Sequence, residues 1–157
     1  MKAVRAVVAL VVCLAVCFGA GAVGSIWSME SSGEWYRGLN KPDFQPPDDI
    51  FMPVWTALYL LMGISLWLVW LKAGWSWDLL MLFAAQLAFN ALWSGFFFDL
   101  KDLLLAFFEL CCLWVLIVAT LISFWRVQPW AGVLLLPYLA WVTFAGYLNF
   151  TIWQLNP

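Results

Sequence analysis

Five long apolar stretches, at about 4–26, 51–71, 79–98, 103–125 and 129–155, constrain this chain more than anything else in its sequence. Each is long enough to cross the hydrocarbon core of a bilayer, which takes about 20 predominantly apolar residues of helix. Backbone amides cannot stay unpaired in hydrocarbon. A closed barrel would need shorter segments of alternating polarity, so helices are the remaining solution. The expected fold is an all-α membrane protein, a five-transmembrane-helix bundle forming a single domain over residues 1–157, with a long first loop at 27–49. The turns at Asp99 to Asp102 and Arg126 to Pro129 are short, which makes the helices they join antiparallel neighbours. Pro129 suits a first helical turn, Pro53 falls early in its helix, and Pro137 is expected to kink the fifth.

Composition bears this out and excludes several functions. Hydrophobic residues make up 66% of the chain and charged residues 10%, against roughly half and a quarter in soluble domains. A net charge of -2 leaves no basic patch for nucleic acid. The first run, preceded by Lys2 and Arg5 and ending near Ala20-Gly21-Ala22, also has the layout of a signal peptide. It exceeds an ordinary signal core, and a retained helix is expected. Lys2, Arg5, Lys72 and Arg126 fall on one side of the bundle and Arg37, Lys41 and Lys101 on the other, a slight bias toward a cytoplasmic amino terminus. Cys13, Cys17, Cys111 and Cys112 lie inside apolar runs and are expected to pack as buried thiols, with no metal site.

Of the 13 tryptophans, Trp27, Trp70, Trp75, Trp77, Trp125, Trp130 and Trp153 lie near helix ends, where indoles anchor to the membrane interface. A belt does not account for Trp114 and Trp141. The first loop carries Pro42, Pro46 and Pro47, which stiffen it, and Trp35, Tyr36 and Phe44, which can dock on the bundle; an ordered lid is expected.

The third run bears two stripes. Ala84, Ala88, Ala91 and Gly95 make a flat face of small side chains, suited to close approach of another helix and expected to form a homodimer contact. Gln86, Asn90, Trp93 and Phe97 follow the same spacing two residues out of step, about 200° round the helix, and face a cavity or a neighbouring helix. Buried amides are costly without partners. Interhelical bonding and ligand binding both remain open for Gln86 and Asn90. Glu109 is expected at the interface or beside an internal partner, ahead of a role as a proton relay.

Trp35-Tyr36, Leu39-Asn40-Lys41-Pro42, Pro46-Pro47, Pro53-Val54-Trp55, Gln86-Leu87-Ala88-Phe89-Asn90, Pro137-Tyr138-Leu139-Ala140-Trp141 and Leu148-Asn149 occur in an order that resembles the translocator protein family, also called the tryptophan-rich sensory proteins. The resemblance implies a dimeric five-helix bundle with a pocket under the first loop for porphyrins (protoporphyrin IX, haem), sterol-like lipids and benzodiazepine-type ligands. By position, Trp55, Asn90 and Trp141 resemble the family's pocket residues, and Tyr59 and Ala145, one turn on from the two tryptophans, share their faces. Trp35, Tyr36, Pro42, Phe44, Gln86, Trp93 and Tyr138 complete the expected ligand-binding set. Flat aromatic walls with one amide suit a planar, largely apolar ligand.

Two departures qualify the resemblance. Asp43-Phe44 stands where the family often has a tryptophan between the loop prolines. Phe150 and Gln154 replace the tyrosine and basic residue of a sterol motif ascribed to some members, a weak pattern in any case.

The leading expectation is a receptor or carrier for a tetrapyrrole or lipid-like molecule, surrounded by membrane lipids, with porphyrin or haem as ligand and no required cofactor. The alternatives are a light- and oxygen-dependent porphyrin-degrading enzyme and a structural membrane partner with an incidental pocket. No nucleophile-base pair or phosphate loop is present, and the chain has no histidine, so no catalytic residue is assigned.

Overall fold

The computed structural model describes residues 2–31 and 33–157, with the side chains of residues 29–31 outside the description. Six α-helices follow one another: α1 (Lys2–Ser31), α2 (Glu34–Gly38), α3 (Asp48–Ala73), α4 (Trp77–Ser94), α5 (Leu103–Val127) and α6 (Pro129–Leu155). Five of them are long and apolar enough to cross a membrane. The spans are those expected, with extended ends: α1 continues to Ser31 and α3 starts at Asp48. Pro53 therefore lies in the second turn of α3. Of the expected loop, 33–38 is mostly the short α2, and the segment without helix is 39–47. The part of that loop at residue 32 lies outside the described residues.

The long helices close into a ring. α1 packs against α3 and α4, α4 against α5, α5 against α6, and α6 against α3. The approach of α1 to α3 depends on Gly63, where a Cβ would stand 2.6 Å from Leu14 Cδ2 and 3.1 Å from its Cα. Small residues let membrane helices meet at such distances, where packing replaces the missing hydrophobic drive. Polar side chains also tie the ring: Ser65 Oγ donates to the Ala131 carbonyl at 2.7 Å and Trp67 Nε1 to the Ala6 carbonyl at 2.9 Å.

Local chemistry explains the helix ends. Gly74 follows α3 at φ 72°, a left-handed conformation that glycine adopts without a Cβ penalty. The Asp102 side chain caps α5 by accepting from the Leu105 amide at 2.9 Å, and Pro129 opens α6, where its missing N–H costs nothing. α4 ends in a π-helical turn, Gly95–Asp99, closed by the Leu100 amide on the Gly95 carbonyl at 2.9 Å. Such turns re-aim the side chains they carry. α6 remains helical through Pro137.

The buried core includes Met62, Phe83, Leu113, Ile117, Phe124, Leu135 and Tyr138, and Phe83 stacks on Phe124 at 5.7 Å. Many apolar side chains instead face outward, among them Val4, Val7, Val8 and Val11 of α1. In a bilayer that outer face meets acyl chains rather than water. Trp75, Trp77, Trp125 and Trp130 are exposed at helix ends, as expected of interfacial anchors.

Two expectations are corrected. Cys13 and Cys17 are buried as foreseen, but Cys111 and Cys112 are exposed on α5. The buried stripe of that helix runs through Ala106, Leu110, Leu113, Ile117 and Phe124, and the two thiols lie off it. An apolar run does not by itself distinguish a lipid-facing position from a core one. Glu109 has no partner among the described residues. It is 6% exposed on the inner stripe of α5, and both carboxyl oxygens lack a hydrogen-bond partner.

Candidate functional site

A hydrogen-bonded chain of three side chains crosses the interior from α3 to α4 to α6. The Tyr59 hydroxyl donates to Asn90 Oδ1 at 2.6 Å, and Asn90 Nδ2 donates to the Tyr138 hydroxyl at 3.0 Å. Helical spacing puts Asn90 on the inner face of α4, with Gln86 one turn before it. Both are buried. Asn90 has its partners on the neighbouring helices, whereas Gln86 Oε1 and Nε2 have none.

Aromatic side chains wall the same region. Trp55 stacks on Tyr59 at 5.6 Å and meets Tyr138 edge-on at 6.3 Å. Trp141 meets Phe51 at 5.7 Å and Phe144 at 5.6 Å. These separations favour offset or edge-to-face geometry. The Trp141 indole N–H is buried without an acceptor. Trp141 also borders a groove of about 490 Å³ on the outside of the ring, together with Leu58, Leu61, Pro137, Ala140 and Phe144. It therefore stands between the aromatic interior and the lipid side.

The expected loop residues fall in two places. Trp35 and Tyr36, on α2, dock on the π-helical turn: Trp35 meets Phe97 at 6.0 Å, and Tyr36 meets Phe98 at 5.6 Å. Trp93 lies 5.1 Å from Phe97 in this second cluster and also packs against the main core that holds Tyr138. Its indole donates to Asn149 Oδ1 at 3.2 Å, while Asn149 Nδ2 donates to the Leu103 carbonyl at 2.7 Å. Phe44 is exposed and stacks on Tyr147 at 5.1 Å, with Phe144 at 6.5 Å. Phe144 thus links the loop to Trp141. Pro42 accepts the Gln45 amide in a turn at 3.0 Å, and Ala145 is half-buried on α6.

Charge gathers at this end. Lys41 Nζ lies 3.7 Å from the centre of the Tyr36 ring, and Lys101 Nζ 5.9 Å from that of Trp35, both within cation–π range. Burial pushes the Tyr36 phenol above its ordinary range; Asp48 adds to the rise, and the hydrogen bond from Gln45 Nε2 at 3.2 Å opposes it. The loop is tied to the end of α6. The Asn40 amide donates to Asn156 Oδ1 at 2.9 Å, and Asn156 Nδ2 donates to the Asn40 carbonyl at 2.9 Å.

The small-residue stripe of α4 is divided. Ala84 and Ala88 are exposed on the outer face. Ala91 is buried against Gly24 of α1, where a Cβ would lie 3.7 Å from Ala91 Cα, and Gly95 faces the Trp27 ring at 3.5 Å. Trp114, which no interfacial belt explained, donates from its indole to Thr143 Oγ1 at 2.9 Å and so braces α5 against α6.

Phe51, Phe144 and Asn149 were not among the expected site residues, and Phe97 was expected only as part of the polar-aromatic stripe of the third run. Asn149 carried a signal, since an amide deep in an apolar run needs partners. Phe51 and Phe144 carried none that set them apart from the other phenylalanines.

Chemically, the interior offers flat apolar walls, one fixed amide between two phenols, and unpaired polar groups on Gln86 and Trp141. Among the described residues, no three His, Cys, Asp or Glu side chains are grouped so as to hold a metal.

Comparison with known proteins agrees with this architecture. The sequence profile of the TspO/MBR family matches residues 11–154. The tryptophan-rich protein TspO of Chlorobaculum tepidum is 41% identical over 98% of this chain and 99% of its own length. The tryptophan-rich sensory protein of Cereibacter sphaeroides is 41% identical over 91% of this chain and 88% of its own. The human translocator protein is 36% identical over 85% and 82%.

Proposed function

The chain belongs to the TspO/MBR family and is an integral multi-pass membrane protein, and from that premise we propose that it is a membrane receptor or carrier for porphyrins such as protoporphyrin IX and haem. The ligand lies among Trp55, Tyr59, Asn90, Tyr138 and Trp141, under the loop at 39–47. The observation that carries this reading is the aromatic interior interrupted by a single amide-phenol chain. A planar macrocycle gains by stacking on such walls, and its few polar atoms find donors in Trp141 and Gln86, which lack partners among the described residues. Lys41 and Lys101 supply positive charge at the loop end, which suits the carboxylates of a porphyrin.

The loop acts as a lid. Its attachment through Asn40 and Asn156 and the stacking of Phe44 on Tyr147 support that role. A second copy of the chain pairs through Ala84 and Ala88, whose small exposed side chains permit close helix approach.

The test is a titration of the purified protein with protoporphyrin IX, in the dark and under illumination. Saturable quenching of tryptophan fluorescence, lost in a Trp55→Ala/Trp141→Ala double variant, supports the reading. Unchanged spectra at all concentrations overturn it. Light-dependent turnover with a released product would make the protein an enzyme instead.

A further inference from the structure

Glu109 is not used by the proposed site, yet it is the least ordinary residue in the bundle. It is the seventh residue of α5, on the stripe with Ala106, Leu110 and Leu113 that faces the ring interior. The side chain is buried, and neither oxygen has a donor within hydrogen-bonding distance. Lys101 is eight positions away in sequence, on the far side of the Asp102 cap, and Arg126 is at the other end of α5. The remaining lysines and arginines stand at helix ends or in the loop. Among the described residues, no cation pairs with this carboxyl.

An isolated carboxylate inside a helix bundle loses its hydration without compensation, a cost of several kcal/mol that proteins avoid by pairing the charge or by binding a proton. Intramembrane acids of this kind mark functional positions more often than structural ones. With pairing excluded by the geometry, a proton is what remains. We infer that Glu109 is a proton-binding site of the bundle interior, its carboxyl holding a proton at neutral pH in place of a paired charge. The titratable groups on the elements packed against α5 are few. α6 offers Tyr138 and Tyr147; α3 offers Tyr59, with Asp48 and Asp49 in its first turn and Lys72 in its last; the π-helical turn offers Asp99; α4 offers only Asp78 at its far end. The one cation among them, Lys72, stands in the last turn of α3, and Tyr138 is held by Asn90. The site itself does not depend on the identity of the ligand.

Infrared spectroscopy of the full chain in lipid nanodiscs at neutral pH, comparing wild type with Glu109→Gln, tests the inference. The expected difference is loss of one protonated-carboxyl C=O stretching band that shifts in heavy water. Loss of carboxylate stretching bands instead, with no change in the protonated-carboxyl region, would overturn it. Should Glu109→Gln not fold, selective isotope labelling of glutamate carboxyls in the wild-type chain gives the same reading. A labelled protonated-carboxyl band supports the site, and carboxylate bands alone refute it.

Discussion

At the scale of single residues, the interior is organised around Asn90, which holds two phenols at once. Replacing it by leucine keeps the volume but leaves both hydroxyls without that partner. An orphaned buried polar group costs about 1–3 kcal/mol, so Asn90→Leu should lower thermal stability by that order, whereas Tyr59→Phe, which removes only a peripheral donor, should cost less. Melting curves in one detergent decide the order of the two. Trp141 has the opposite character, since its N–H is unpaired and its ring lies beside an outer groove. Trp141→Ala should lower stability through the lost contacts with Phe51 and Phe144 and weaken porphyrin binding by about 1–3 kcal/mol, the range for stacking on flat rings. Iron is expected to matter little. The chain has no histidine, and the tyrosines nearest the site already engage Asn90. Haem and metal-free protoporphyrin IX should therefore bind within about tenfold, or about 1.4 kcal/mol. Haem binding a hundredfold tighter, with the Soret band of protein-ligated iron, would show a side chain reaching the metal.

At the scale of elements, α4 shows both the power and the reach of sequence periodicity. The two stripes were legible because 3.6 residues per turn sends Gln86 and Asn90 to one side and Ala84 and Ala88 to the other, and the burial of each pair agrees. Periodicity could not reveal that the small stripe changes partner along its length, because that depends on where α1 crosses. Ala91 and Gly95 meet Gly24 and Trp27 of α1, while Ala84 and Ala88 face outward. The two halves should therefore respond differently. Ala88→Phe should convert a dimer to monomer in detergent without loss of helix stability. Gly95→Leu should destabilise the single chain by driving a side chain toward the Trp27 ring. Size-exclusion chromatography with light scattering, run beside thermal denaturation, separates the two effects. A dimer that survives Ala88→Phe moves the interface elsewhere. The same blindness to crossing geometry misplaced Cys111 and Cys112. In a helix that is apolar all round, nothing local distinguishes the ring's inside from its lipid side, and that distinction reversed the expectation for both thiols.

At the scale of the whole molecule, the order of spans and the antiparallel neighbours followed from run lengths and short turns, but closure of the ring through α3 and α6 did not, since those helices are far apart in sequence. The loop is bound to the same closure. Asn40 and Asn156 exchange two hydrogen bonds of 2.9 Å each across 116 residues, and Asn40 Nδ2 adds a third to the Leu155 carbonyl at 3.2 Å. These bonds are solvent-exposed, and each contributes a net stabilisation of roughly 0.5–1.5 kcal/mol. Asn156→Ala removes the first two and spares every aromatic contact within the ring. The closed state of the loop should lose about 1–3 kcal/mol, enough to raise its opening equilibrium between about fivefold and a hundredfold. Amide exchange at residues 39–47 should accelerate by that factor while exchange in α3 and α6 stays unchanged. If the loop also governs access to the interior, both association and dissociation of protoporphyrin IX should quicken, with a smaller change in affinity than in either rate. Faster amide exchange with unaltered ligand kinetics would mean that the loop opens without controlling entry, and that ligands reach Trp141 from the lipid-facing groove between α3 and α6.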